Sequence, residues 1–503
     1  MVARKKIDSN ETSLAYSEEN GIGVAAVSPI WHGLEPNTYA NMGGKLTLLA
    51  RRPINSSRQR KKGEITDLTA AAAFNQDFTL KNTQDILQGY MFADFRQKAT
   101  VAPTGCGAAG YAVVSEAGFT TGSLIFVTGF ALAANNGFKR VTAVASGLIT
   151  AAGLATEAPS AGSKIVLVGN VGAAGDIDVD VSGTWPAYTS TVLDFTTLGI
   201  IPGEWVHVGG DGFGTSFAAA NNNGFKRVRS VTANRLEIDQ SPIAMTTVAS
   251  TAETIHIYLG RVLKNELGTL IKRRTYQLER QLGAPDTSDL SAVQSELVTG
   301  AVPAIFTLNV KMADKLNADL TFVATDHVSR TATDGLAPGT RMGVQEAEAF
   351  NTSSDIPTMR MSIIVPGNAT PTPLFAHVTD ITLKIDNKLT ENKAVAVLGA
   401  FDVTAGMFEV SATATAYFDT VEAIQAVTDN DNVQLYAAFC KANSGVVLDV
   451  PLIALSDAQL AVVIDAPITL PLIIDAATAA LLNPATDYTL MWCFYDYLPT
   501  IAG

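Results

Sequence analysis

The heptapeptide Asn135-Asn136-Gly137-Phe138-Lys139-Arg140-Val141 recurs as Asn222-Asn223-Gly224-Phe225-Lys226-Arg227-Val228, 87 residues downstream. The flanks agree too. Phe119-Thr120-Thr121 precedes Leu124-Ile125-Phe126-Val127 in the first copy, and Phe195-Thr196-Thr197 precedes Trp205-Val206-His207-Val208 in the second. A repeat of this kind demands two copies of one small unit in tandem, and it must be found before any fold is assigned. Each copy reads as strand, turn, strand, because Asn-Gly supplies the positive φ of a tight hairpin. Asn136, Gly137, Asn223 and Gly224 are thus the expected module turns. The two β-modules are expected at 101–176 and 177–255.

A second, fainter repeat frames the first. Asp67-Leu68-Thr69-Ala70 leads into an alternating run (Phe74, Gln76, Phe78, Leu80), after which Asn82-Thr83-Gln84-Asp85 opens a short helix. Asp402-Val403-Thr404-Ala405 leads into the run Phe408 to Tyr417, and Asp419-Thr420-Val421-Glu422 opens a second helix. A small polar cap with an acid three residues on suits both helix starts. Ile86, Leu87, Tyr90 and Met91 form one packing stripe, and Val421, Ile424 and Val427 the other. Further on, Val302-Pro303-Ala304-Ile305 matches Val450-Pro451-Leu452-Ile453. The simplest organisation is a duplicated β-domain. One half is 1–100 plus 256–326, split by the modules, and the other is 377–503. Between them, 327–376 reads as a long connecting loop with a partner to contact.

Composition narrows the function. Of 503 residues, 47% are apolar and only 17% charged, which excludes a disordered chain. The net charge of −13 argues against a protein that grips nucleic acid by its phosphates. Charge is unevenly placed: residues 1–62 carry ten Lys/Arg against five Asp/Glu, whereas 401–503 carry Lys441 against twelve carboxylates. A basic arm and an acidic end can complement each other between neighbouring copies. Met1 to Asn10 is charged with no apolar run behind it, so no export signal is expected. The most apolar stretch, Leu460 to Leu482, is broken by Asp465, Pro467, Pro471 and Asp475, so no membrane span is expected.

No catalytic constellation emerges. Gly209 to Gly214 lies between strands, where no helix N-terminus can hold a phosphate. Asp176, Asp178 and Asp180 alternate, but the glycine and the closing glutamate of a calcium loop are missing. His207 and His256 read as packed or edge histidines, and Cys440 and Cys493 as buried thiols. No cofactor, metal or enzyme activity is expected. Arg51, Arg52, Arg58, Arg60, Lys61 and Lys62 lack interleaved aromatics, so acidic protein surface is their expected partner.

Four stretches then carry a family resemblance: Gly63-Glu64-Ile65-Thr66-Asp67-Leu68 with its strand and helix; Arg274 to Leu282 (RTYQLERQL); Val378 to Asn387 (VTDITLKIDN); and Val410 to Phe418 (VSATATAYF). In this order they resemble the major tail tube proteins of long-tailed, non-contractile bacteriophages. The resemblance covers about 250 residues in the two halves, and the repeated modules look like inserts seen in some of these proteins. It implies an all-β dominated fold, a sandwich or barrel in each half with one short helix plugging it. It also implies a virion tail protein that forms rings, stacked into a tube through which genome DNA passes without specific binding. Sixfold rings of single-domain subunits are the family pattern. A duplicated chain reaches the same pseudo-sixfold ring with three copies, a hexamer being the other possibility. A tape-measure protein, a tail-tip complex and a tail terminator are the implied partners. The basic residues at 51–62 become candidate inter-ring contacts. Asp402, Glu409, Asp419, Asp449, Asp457 and Asp465 become candidates for an acidic lumen or interface. The competing reading is an adhesin or capsid-decorating protein of tandem β-sandwiches.

Overall fold

A computed structural model describes residues 6–54, 56, 59–284, 293–331, 335–345, 347–375, 377–457 and 459–500. The chain is dominated by β-strands, with two α-helices among the described residues. It divides into two compact units. Unit 1 takes Met1–Ala93, Glu266–Ala349 and Asp380–Thr413; unit 2 takes Asp94–Asn265, Phe350–Thr379 and Ala414–Gly503.

Unit 1 is built on an antiparallel row. Strand Tyr276–Gly283 pairs with Gln294–Lys311, which pairs with Asn317–Ala324, which pairs in turn with Lys61–Asp77. The last strand shows why: Leu68, Ala70, Ala72 and Phe74 alternate inward at period two and are all buried. Helix Gln84–Met91 follows directly and lays Ile86, Leu87, Tyr90 and Met91 into the interior as expected. It is held there by specific bonds. The Tyr90 hydroxyl donates to the Thr321 carbonyl at 3.2 Å, and buried Asn387 donates to the carbonyls of Tyr90 and Pro303. Gly89 permits the close approach, since a Cβ there would lie 2.7 Å from the Tyr276 ring. The expected side-chain cap is absent: the Thr83 hydroxyl donates back to the Thr79 carbonyl instead of accepting a helix amide.

Unit 2 repeats the row. Strand Val433–Lys441 pairs with Ser444–Ser456, which pairs with Thr469–Ala477. Residues 414–417 close the order at the end of strand Glu409–Tyr417, where the Phe418 amide donates to the Ile468 carbonyl. Helix Glu422–Thr428 again follows directly, but with a different face from the one its large residues suggest. Ala423 and Ala426 are buried, Ile424 and Val427 only partly, and Val421 is exposed at the N-cap position without a capping bond. Small residues let this helix sit close to its support, so methyl groups replace the expected aliphatic stripe.

The two modules also lie in unit 2, and their strand orders are copies of each other. In the first, the order is Pro103–Gly107, Gly110–Val113, Leu148–Ala151, Gly137–Ala145, Ser123–Thr128, Lys164–Val171. In the second it is Asp178–Asp180, Ala187–Thr189, Arg235–Gln240, Gly224–Thr232, Trp205–Val208, His256–Leu259. The modules join through their final strands, which run antiparallel with Gly169 opposite Tyr258. Each has its own core, Tyr111, Val141 and Ile149 in one and Tyr188, Val228 and Leu236 in the other. A third cluster unites module residues (Leu124, Trp205, Tyr258) with Tyr436, Val447 and Tyr495. There Trp205 stacks on Tyr436 at 4.5 Å.

The repeated asparagines do not make tight turns. Asn136 is extended (φ −103°), Gly137 alone has positive φ (83°), and the glycine begins a strand opposite Val127. A two-residue type I′ turn needs positive φ at both positions. The loops are instead 129–136 and 209–223, and the asparagines lace them shut. Asn136 accepts from the Phe130 amide and donates to the Phe130 carbonyl; Asn223 does the same with Phe217. Tyr111 donates to the Asn135 carbonyl and Tyr188 to the Asn222 carbonyl. In both copies the same asparagine side chain thus satisfies the backbone of its loop, a requirement set by folding.

The segment 327–376 carries short edge strands. Asp326–Arg330 pairs with the start of Gln294–Lys311, Thr340–Met342 lies parallel to Ile30–Leu34, and Thr358–Ile363 pairs with Val433–Lys441. Their partners supply the order that their own polar, aperiodic sequence does not announce.

Candidate assembly surfaces

The most conspicuous surface is a long hairpin of unit 1. Strands Pro36–Arg51 and Lys61–Asp77 pair along their length, with Leu46 opposite Leu68, Leu48 opposite Ile65, and Arg51 opposite Lys61. Among its described residues none from Gly44 to Asp67 is buried. Yet Leu46, Leu48, Leu49, Ile54 and Ile65 are large apolar side chains left exposed, Leu48 and Leu49 at 66%. An exposed apolar ribbon of this length is a candidate interaction surface. Arg51, Arg52, Arg60, Lys61 and Lys62 stand exposed at its outer end; Arg58 lies outside the described residues. The base is fixed by Asp67, which pairs with Lys393 at 2.6 Å. The Lys393 ammonium and the Leu68 amide hold that carboxyl below the usual range.

Unit 2 has a surface of opposite charge. Leu460, Val462, Val463 and Ile464 are exposed, Ile464 at 90%, between exposed Asp457 and Asp465, and exposed Ile468 follows. From Ala442 to the end of the chain there is no lysine or arginine.

The acidic candidates separate into three groups. Asp419, Asp457 and Asp465 are exposed. Asp402 pairs with Arg273 at 3.1 Å and Glu409 with Lys388 at 3.1 Å, so both are neutralised within unit 1. The Val403 amide and Arg273 hold the Asp402 carboxyl low. Asp449 is not a surface group. It is fully buried, 3.2 Å from Arg227, and it accepts the Tyr488 hydroxyl at 2.7 Å. Its partner stands 222 residues away in sequence, which is why composition alone misplaced it.

The alternating aspartates are engaged in local bonds. Asp176 is enclosed by Ser190 and the amides of Thr191 to Leu193, Asp178 accepts the Ser250 amide, and Asp180 pairs with Arg235 at 2.6 Å. Burial pushes the Cys440 and Cys493 thiols up to about 12. Among the described residues no cluster of His, Cys, Asp and Glu is placed to hold a metal ion. No described helix is long and apolar enough to cross a membrane.

His207 and His256 are buried, and burial pulls them down from 6.5 to about 3 and about 4. Both are neutral in the folded chain and take up protons on unfolding, so their contribution is intact above about pH 6.5 and is lost as pH falls toward the folded values. Inside its window each histidine adds a slope of about 1.4 kcal/mol per pH unit. His207→Phe should flatten the acid limb of stability between about pH 6 and 4 by that amount. Denaturant titrations across that range check it, and an unaltered slope would refute it.

No curated protein matches the chain. A family model described as phage tail tube protein matches residues 166–471, more than half of the chain. That span runs from the end of the first module through the second and into the last strands of unit 2. The chain, dominated by β-strands, belongs to the phage tail tube family, whose place is the virion tail.

Proposed function

We propose that this protein polymerises into stacked rings that form the tube of a long, non-contractile phage tail, the conduit for genome DNA during ejection. The observation that carries this reading is the doubled row: the same four-strand order followed by a short helix occurs once in each unit. One chain thus supplies two tube domains, and three chains complete a pseudo-sixfold ring. Arg51, Arg52, Arg60, Lys61 and Lys62 at the hairpin end, together with Arg58 of the same basic stretch of sequence, contact the acidic surface of the next ring. Asp419, Asp457 and Asp465, with the paired Asp402 and Glu409, contribute to an acidic lumen or interface. Acidic walls repel phosphate and let DNA slide, whereas a basic wall would hold it. The protein has no catalytic role. Its partners are copies of itself, a tape-measure protein, a tail-tip complex and a tail terminator.

Negative-stain electron microscopy of the concentrated protein tests this directly. Hollow tubes with three chains per ring are expected. Six full-length chains per ring would overturn the stoichiometry. Discrete particles that stay monomeric when tip complex is added would favour the adhesin or capsid-decorating alternative.

A further inference from the structure

Unit 2 contains a cavity of about 140 Å³ where the second module meets strand Val433–Lys441. Trp185, Ile364 and Pro451 give it apolar walls, and Arg229, Asp239 and Gln434 give it polar ones. Two of these polar groups have unused capacity. Gln434 is only 2% exposed, yet its Nε2 has no hydrogen-bond partner. A buried amide donor in that state lacks an acceptor that a ligand can provide. Arg229 rests on the Trp185 ring at 4.4 Å and, among the described residues, pairs with no carboxylate. Its neighbour Arg227 differs, being bound to both Asp239 and Asp449.

We infer that this cavity is a binding site for a single carboxylated sugar ring. A carboxylate answers the free guanidinium of Arg229. A ring oxygen or hydroxyl answers the Gln434 donor, and a hydroxyl proton finds a remaining lone pair of Asp239. The C–H faces of the ring suit Ile364, Pro451 and the indole of Trp185. A nucleotide is too large for the space, and a bare inorganic anion leaves the apolar walls unused. The site is complete within unit 2, so it stands independently of tube formation.

Titration calorimetry of the full-length chain with sodium glucuronate tests the assignment. A ligand of this size should bind with a dissociation constant on the order of 1 mM. Glucose and sodium sulfate should each bind at least about tenfold more weakly, since each lacks half of the recognised chemistry. Arg229→Ala should weaken glucuronate by about tenfold or more. Gln434→Leu keeps the volume and removes the unpaired donor, so it should lower affinity without unfolding unit 2, as read by an unchanged melting temperature. Absence of saturation up to about 20 mM glucuronate overturns the proposal. So does equal binding of glucose or sulfate, and so does glucuronate binding that survives both substitutions.

Discussion

Replacing residues 48–65 with Asn-Gly should abolish tube formation while leaving the melting temperature of the chain within about 2 °C of the parent, because no buried residue is removed among the described ones. Every described residue in that span lies outside the cores, and the first buried position on the returning strand is Leu68. The Asp67–Lys393 pair and the row built on Lys61–Asp77 lie beyond the deletion or survive it from Thr66 onward. What is lost is the exposed ridge of Leu48, Leu49, Ile54 and Ile65 together with the basic tip. Charge reversal at Arg51, Arg52, Arg60, Lys61 and Lys62 should give a milder version, with assembly recovered in part at high salt if repulsion alone is responsible. Electron microscopy and a thermal melt on the same samples separate the outcomes. Normal tubes from the deleted chain would remove the hairpin from the assembly mechanism.

The second large effect is expected inside unit 2. Arg227 is buried, its Nε 2.9 Å from Asp239 and its Nη1 3.2 Å from Asp449. Burial disfavours its charge, but the two carboxylates outweigh that and hold the guanidinium firmly protonated. Asn483 donates to Asp239 at 2.5 Å and Tyr488 to Asp449, so the acids are fixed independently of the arginine. Arg227→Met would strand two buried negative charges, at a cost of about 3–5 kcal/mol. The midpoint of denaturant unfolding, followed by fluorescence of buried Trp205 and Trp492, should fall accordingly. Adding Asp239→Asn and Asp449→Asn should restore much of the loss, since a neutral cluster needs no counter-charge. A triple variant no more stable than the single one would show that packing, and not charge, sets the cost.

Local chemistry announced itself in the sequence where it obeyed a short period. The helix stripe of Ile86, Leu87, Tyr90 and Met91 is one example. The repeated heptapeptide announced two equivalent modules, but not the bonds it makes in them. Asn-Gly reads as a turn, whereas Asn136 and Asn223 close their loops onto Phe130 and Phe217, which carry no sequence signature of that bond. Val421 and Asp449 failed for a related reason. Whether an aliphatic side chain meets a partner, or a carboxylate meets an arginine 222 positions away, depends on tertiary neighbours absent from any local window. The cavity beside Arg229 was equally silent, since Trp185, Ile364 and Gln434 come from three separate stretches.

Trp205 stacked on Tyr436, in one cluster with Leu124, Val447 and Tyr495, bears on whether the modules are removable. An ornament that was merely spliced in could be lost again at no cost to its host. Here excision of the modules would leave Tyr436, Val447 and Tyr495 facing water. Removing the modules would therefore require polar replacements on that face in the same step, so they share a core with the rest of unit 2.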